Sequence, residues 1–324
     1  MLKYCQQNKQ KECFNNNLMK KYILKRLLQL IPTLFGVALI TFILFNVVGG
    51  SPALLVLGKN ATAEAIAEYD HIHGYDKPII VQFFNFIGDL VTGDWGESID
   101  YQQPVLDVLK NGVLISLSLT LPILVIGTLV AIGISLICAA FAGKWQDKVA
   151  LAGTTMLMSV NYVIWVTAGQ YFLAYKLKLF PIWGYENWTY LCLPVIIGVI
   201  NGLGGDVRFY RTVIMDEINK PHVRTAIAKG LRPTYILLKH VLRNSLIPIT
   251  TNISLSIPFL FTGSILLESF YGIPGLGGIG LNAVNSSDIA MVRAVVIIEA
   301  ILYQLSNLIS DIIYAWLDPR VRME

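Results

Sequence analysis

"HVRTAIAKGLRPTYILLKHVLRN", residues 222–244, is the longest polar stretch in the C-terminal two-thirds of a chain that is otherwise strongly apolar. It reads as two short helices. Val223, Ala226, Ile227, Gly230 and Leu231 recur at helical spacing on one face, and Gly230 followed by Pro233 supplies a stop and a restart. On the second helix Thr234, Leu237, Leu238, Val241 and Leu242 form an apolar stripe, with Tyr235, Lys239 and Arg243 on another side. A basic amphipathic element needs cover for its apolar face. It can pack on the ends of the protein's own helices or lie among lipid headgroups. Alternatively it is a surface on which a cytosolic partner docks, helix in groove.

Composition says what surrounds this stretch. Of 324 residues, 55% are hydrophobic and 14% charged, against about 25% charged in soluble globular proteins. Crossing the roughly 30 Å of bilayer hydrocarbon takes about 20 apolar helical residues. Six such runs are present, near 28–48, 114–142, 149–175, 190–205, 245–267 and 292–317. The fourth is the shortest and carries Pro194. The runs are continuous rather than alternating, which excludes a β-barrel. The expectation is an all-α membrane protein with six transmembrane helices.

Lysine and arginine near the span ends set the orientation, because positive residues stay on the cytoplasmic side. Lys20, Lys21, Lys25 and Arg26 precede the first span, and eight basic residues from Arg208 to Arg243 lie between spans four and five. Both termini are therefore expected in the cytoplasm, with the acidic 49–113 segment outside. The net charge of +4 is a topology signal rather than a nucleic-acid footprint, since the basic residues flank apolar spans. Residues 1–18 form a polar leader expected to be disordered, with Met19 a candidate start. The core of five helices follows over 114–324, after the first helix and external segment of 19–113, and the cytoplasmic loop is taken as 206–244.

No catalytic set or cofactor motif emerges. Gly275, Gly277 and Gly280 match G-x-G-x-x-G but follow no strand, and no phosphate-binding G-x-x-x-x-G-K-[ST] occurs. His71 and His73, near Asp70 and Asp76, are the one cluster with transition-metal character, and two exposed histidines in an acidic loop read first as solvated surface; no metal site is assigned. The cysteines show neither a disulfide framework nor zinc spacing. In the last span Glu299, Gln304, Asn307 and Asp311 interrupt an apolar run. A carboxylate at a helix centre costs about 2.5 to 3.5 kcal/mol on insertion scales, so it faces protein or a water-filled path. Glu299 is the candidate path-lining or outer-gate residue; Asp311 reads as interfacial, or paired with a basic residue such as Arg243.

"VRTAIAKGLRPTYILLKHVLRNSLIPI", residues 223–249, resembles the cytoplasmic EAA-type loop of bacterial ABC importer permeases, in the branch that carries dipeptides, oligopeptides and nickel. The Glu-Ala-Ala opening of that loop reads Arg224-Thr225-Ala226 here. "HGYDKPIIVQFFNFIGDLVTGDWGESI", 73–99, is similar to the branch's external segment, "GIPGLGG", 272–278, to its loop before the last span, and "LDPRVR", 317–322, to its ending. The resemblance implies a type I importer permease of the bacterial inner membrane, without catalytic activity or cofactor. It also implies a second homologous permease subunit completing a heterodimer, two cytosolic ABC ATPase subunits and an external solute-binding protein. Val223, Arg224, Thr225, Ala226, Ile227, Lys229, Gly230 and Leu231 would couple to the ATPase, with Val223, Ala226, Ile227 and Leu231 supplying buried contact. Peptides are the expected cargo, with nickel or a metal chelate the alternative. A proton-coupled secondary transporter using Glu299 and Asp311 is a further class, although no internal repeat supports it. An intramembrane enzyme lacks a paired catalytic set.

Overall fold

A computed structural model describes residues 23–48, 57 and 61–317. The leader, both candidate start residues and nearly all of the "LDPRVR" ending lie outside the described residues. Secondary structure among the described residues is helical apart from an isolated bridge between Glu97 and Pro104. Four helices are long and apolar enough to cross a membrane: Ile23–Asn46, Val105–Ala140, Thr189–Ile218 and Ile289–Ile313. Two bent pairs, Trp145–Ser159 with Tyr162–Lys176 and Pro233–Phe261 with Ile265–Tyr271, complete six spans when each pair is counted as one.

The bent pairs differ from the uninterrupted runs expected at 149–175 and 245–267. The first pair turns by 92° across residues 160–161. Asn161 restarts the helix there, its side chain accepting a hydrogen bond from Val163 N at 2.9 Å. The second pair bends by 48° at Gly263, which adopts φ +71°. Ser264 then caps the new helix, and Glu268, fully buried, accepts from Ser264 N at 3.1 Å and from Ser116 Oγ at 2.8 Å. A helix break inside a membrane is tolerated where protein side chains satisfy the freed backbone.

The chain divides into two compact units, 1–114 with 275–324, and 115–274. In the first, Val105, Leu109, Leu276, Ile279, Met291 and Val295 form the core. Asp288, fully buried, caps the last span through Met291 N at 3.1 Å and accepts from Ser98 Oγ at 2.6 Å and Ile99 N at 2.9 Å. The "GES" of the external segment is thus a clasp on the start of the last helix. At the opposite end Asp311 pairs with Arg26 at 3.2 Å, not with Arg243 as the sequence suggested: Asp311 sits at the level where the first span begins.

In the second unit the helix Trp145–Ser159 lies along Thr189–Ile218. A Cβ at Gly204 would collide with the Met158 side chain, so the small residue permits the close approach. Arg211 holds Asp147 by a two-pronged contact, Nε to Oδ1 at 2.8 Å and Nη2 to Oδ2 at 2.7 Å, and Asp147 also accepts from Gly143 N at 3.0 Å. Leu119, Val166, Leu193, Ile197, Leu267 and Tyr271 fill the space beyond.

Asp147 is almost wholly buried, so removing it strands a mostly covered guanidinium. Asp147→Ala is expected to cost about 3 kcal/mol or more, and Asp147→Ala with Arg211→Met to recover most of that loss. Thermal unfolding of the detergent-purified variants checks this; equal melting of the single and double variants would contradict it.

Candidate functional site

The segment taken as a loop from 206 is helical up to Ile218. Helix Thr189–Ile218 continues through Asp206, Arg208 and Arg211, because Asp147 neutralises Arg211 and Thr155 accepts a hydrogen bond from Arg208. The connection is consequently short: residues 219–220, then the helix Pro221–Ala228, with Pro221 at its first position. Gly230 adopts φ +74°, a left-handed conformation that glycine takes without steric cost, and Pro233 restarts the chain. The second helix is not short. It passes through wide π-helical turns at Ile236–Leu242 and continues directly into Arg243–Ser256.

Helix Pro221–Ala228 is seated by its own chain. Val223 and Ala226 are 1% and 5% exposed and pack with Ala139, Ile214, Ile236 and Val241. In this subunit by itself, the apolar face on which these two side chains lie is covered by the helix ends. The outward side is what remains. Ile227 is 59% exposed and Leu231 37%, and Arg224, Thr225, Lys229 and Gly230 are exposed beside them. A cavity of about 400 Å³ under this rim is lined by Ala140, Ile218, Ile227, Leu231, Pro233 and Leu237.

Polar tethers lock the seat. Glu217, 5% exposed, pairs with Lys220 and with His222 Nε2 at 3.2 Å, and Asn244 Nδ2 lies 3.2 Å from the same ring nitrogen. One carboxylate thus binds both the turn and the short helix to the end of the preceding span. Glu217 carries no local pattern in the sequence, because its partners lie three and five residues on, across a turn. Farther along, Lys239 stacks over the Tyr235 ring at 4.9 Å.

A second cavity, about 270 Å³, opens among the spans of this unit, with Thr120, Tyr162, Asn201, Asp206, Ser256 and Ser264 supplying its polar wall. Asp206 is half-buried there. Local pattern hid it: the neighbouring Arg208 and Arg211 made the helix seem to end at 205. Glu299, in the other unit, is half-buried in the last span and takes part in an interaction of its own. Among the described residues no group of three His, Cys, Asp or Glu is arranged to hold a metal ion.

Residues 131–323 match the family model described as binding-protein-dependent transport system inner membrane component, and residues 19–120 match the model of its N-terminal region. Relatives include the glutathione transport system permease protein GsiC of Salmonella choleraesuis (strain SC-B67), 33% identical over 310 residues, which covers 94% of this chain and 99% of the relative. The GsiC of Escherichia coli (strain K12) is 31% identical over 311 residues, with the same coverage. Among solved structures, the MetNI methionine ABC transporter in an inward-facing conformation aligns with a TM-score of 0.55 at 17% identity, covering 66% of this chain and 98% of that one. That likeness concerns the fold.

Two substitutions separate seat from rim. Val223→Asp buries a carboxylate in an apolar seat and is expected to loosen the helix by about 2 to 4 kcal/mol, seen as faster tryptic cleavage at Arg224 and Lys229. Ile227→Asp is expected to leave cleavage unchanged; accelerated cleavage in both would contradict the division.

Proposed function

Since the chain belongs to the family of binding-protein-dependent transport system inner membrane components, we propose that it is the permease subunit of an ATP-driven importer of short peptides. Permeases of this kind are multi-pass inner-membrane components without catalytic activity of their own, and they work with an ATPase and a binding protein. In the proposed assembly a second, homologous permease completes the path as a heterodimer, two ATPase subunits sit beneath it, and the binding protein delivers cargo from outside. Family membership goes against the proton-coupled alternative.

The observation that carries the reading is the exposed rim on a seated helix. Val223 and Ala226 fix Pro221–Ala228 to the spans, while Arg224, Thr225, Ile227, Lys229, Gly230 and Leu231 face outward. A lever needs both properties. In the proposed cycle ATP binding draws the ATPase subunits together, the rim follows, and the rigid seat passes that displacement to Thr189–Ile218 and Arg243–Ser256. The cavity then changes the side to which it opens. Burying Ile227 and Leu231 in a partner's groove would contribute about 1.5 to 3 kcal/mol each before ordering costs.

Peptide cargo is supported by the two relatives named for glutathione, itself a tripeptide. The polar cavity suits such a molecule: Asp206 would attract the ammonium end, and Asn201, Tyr162 and Ser256 would exchange hydrogen bonds with a backbone in transit. Intramembrane carboxylates facing a cavity mark paths more often than cores. Glu299 is kept as a second path or gate residue, on narrower support, because it is engaged within the chain. Nickel has no comparable support.

Reconstitution with the ATPase, the second permease and the binding protein in proteoliposomes tests the reading. ATP-dependent uptake of labelled tripeptide is expected, competed by other short peptides but not by nickel. Asp206→Asn should lower uptake about tenfold while the ATPase still copurifies. Uptake of nickel without peptide, or full transport by Asp206→Asn and Glu299→Gln together, would overturn the assignments.

A further inference from the structure

The helix Ile79–Thr92 belongs to the segment placed outside the membrane, yet its sequence, IIVQFFNFIGDLVT, carries one charge, Asp89, and none of its residues is buried. Ile80 is 71% exposed, Phe84 67% and Val91 83%. A contiguous apolar patch of this kind, left open to water, marks a surface that something covers.

The helix has three sides. At 3.6 residues per turn Ile80, Phe84 and Val91 fall within about 40° of one another, Phe83 and Phe86 lie on the adjoining flank, and Gln82, Asn85 and Asp89 lie opposite. The apolar arc spans about 220°, more than the stripe one packed neighbour covers. Protein engages the polar side. Gln82 Nε2 donates to Tyr75 O and to Lys77 O, each at 2.8 Å, and Asp89 borders a cavity of about 340 Å³ shared with Tyr69, Tyr75 and Arg293.

The flank fixes the depth. The Phe83 ring meets Phe42 at 5.3 Å and Phe35 at 5.7 Å between centroids, both edge-on, and Phe86 meets Phe42 at 5.9 Å. Phe35 and Phe42 belong to the first span, Ile23–Asn46. At 1.5 Å per residue they stand about 16 and 6 Å below its outer end. Phe83 is therefore held in the outer half of a hydrocarbon layer about 30 Å thick. Interfacial amphipathic helices bury their apolar face about 5 to 10 Å into that same boundary.

Depth decides what can cover the exposed stripe. A water-soluble protein on the external side does not reach into hydrocarbon. Contacts between membrane helices favour small residues, whereas this stripe presents isoleucine, phenylalanine and valine. The first span, on which the helix packs, itself turns Ile40 and Leu44 outward, so the stripe extends a surface that already faces acyl chains.

We propose that Ile79–Thr92 is a membrane anchor of the external segment, an interfacial helix that binds the outer leaflet with Ile80, Phe84 and Val91 among phospholipid acyl chains. The anchor holds this part of the segment down on the bilayer rather than free in the aqueous space. It rests on the orientation of the first span, not on what the importer carries.

Photolabelling from lipid tests it. The chain, alone and in the assembled importer, is placed in nanodiscs doped with a phosphatidylcholine that carries an aryl trifluoromethyl diazirine on one acyl chain, irradiated, and mapped by mass spectrometry. Adducts are expected at Ile80, Phe84 and Val91, in yields comparable to those at Ile40 and Leu44, and not at Asn85. Ile80→Asn with Phe84→Asn should lower the yield on this helix severalfold, whereas Asn85→Gln should leave it unchanged. Labelling confined to the first span, or equal labelling of this helix in the two variants, would overturn the proposal. So would adducts that form on the helix in the isolated chain and vanish in the assembled importer, since the second permease would then be the occupant.

Discussion

Glu217 and the two apolar residues beneath it, Val223 and Ala226, set the terms for the rest of the molecule. A helix of eight residues, basic and mostly exposed, has little stability of its own. It becomes a mechanical part only because a buried carboxylate ties Lys220 and His222 to the end of a span while Val223 and Ala226 fill a seat among Ala139, Ile214, Ile236 and Val241. Everything proposed about coupling follows from that attachment. Without it the rim of Ile227 and Leu231 would be a flexible tether; with it, displacement of the rim is displacement of the spans.

Three acidic side chains of the 115–274 unit, Glu268, Asp147 and Asp206, divide into those held by protein donors and one turned toward a cavity. Glu268 and Asp147 are of the first kind, Glu268 accepting from Ser116 and Ser264 and Asp147 gripped by Arg211. Asp206 is of the second kind, beside Asn201 and Ser256 in an open space. This contrast gives a physical reason for assigning Asp206 to a path and Asp147 and Glu268 to the frame.

Much of this was legible in the sequence, and the failures are instructive. Apolar run length located the four long helices and the two bent pairs, and Gly230 with Pro233 located the turn, because helix length, left-handed φ and helix restart are local properties. The apolar spacing of Val223 and Ala226 was also readable, but not what would cover it. Coverage came from Ala139, far off in the chain, and from Ile214 on the preceding helix. The helix that carries the fourth span continues past 205 to Ile218 for a similar reason. Arg208 and Arg211 look like a helix leaving the membrane until Thr155 and Asp147 are seen to receive them. The break at 160–161 had a weak local signal, Asn161 before an apolar run, overshadowed by continuous hydrophobicity.

The claim that most deserves testing is that Pro221–Ala228 is a rigid joint whose outer rim meets the ATPase. Single cysteines placed at Ile227 and at Val223 in the assembled importer, treated with a short bifunctional thiol crosslinker in native membranes, address it directly. The account predicts that Ile227→Cys joins to the ATPase subunit, that ATP and its removal change the yield, and that Val223→Cys does not join. Crosslinking from Val223→Cys but not from Ile227→Cys, or from neither in a complex that still transports, would contradict it.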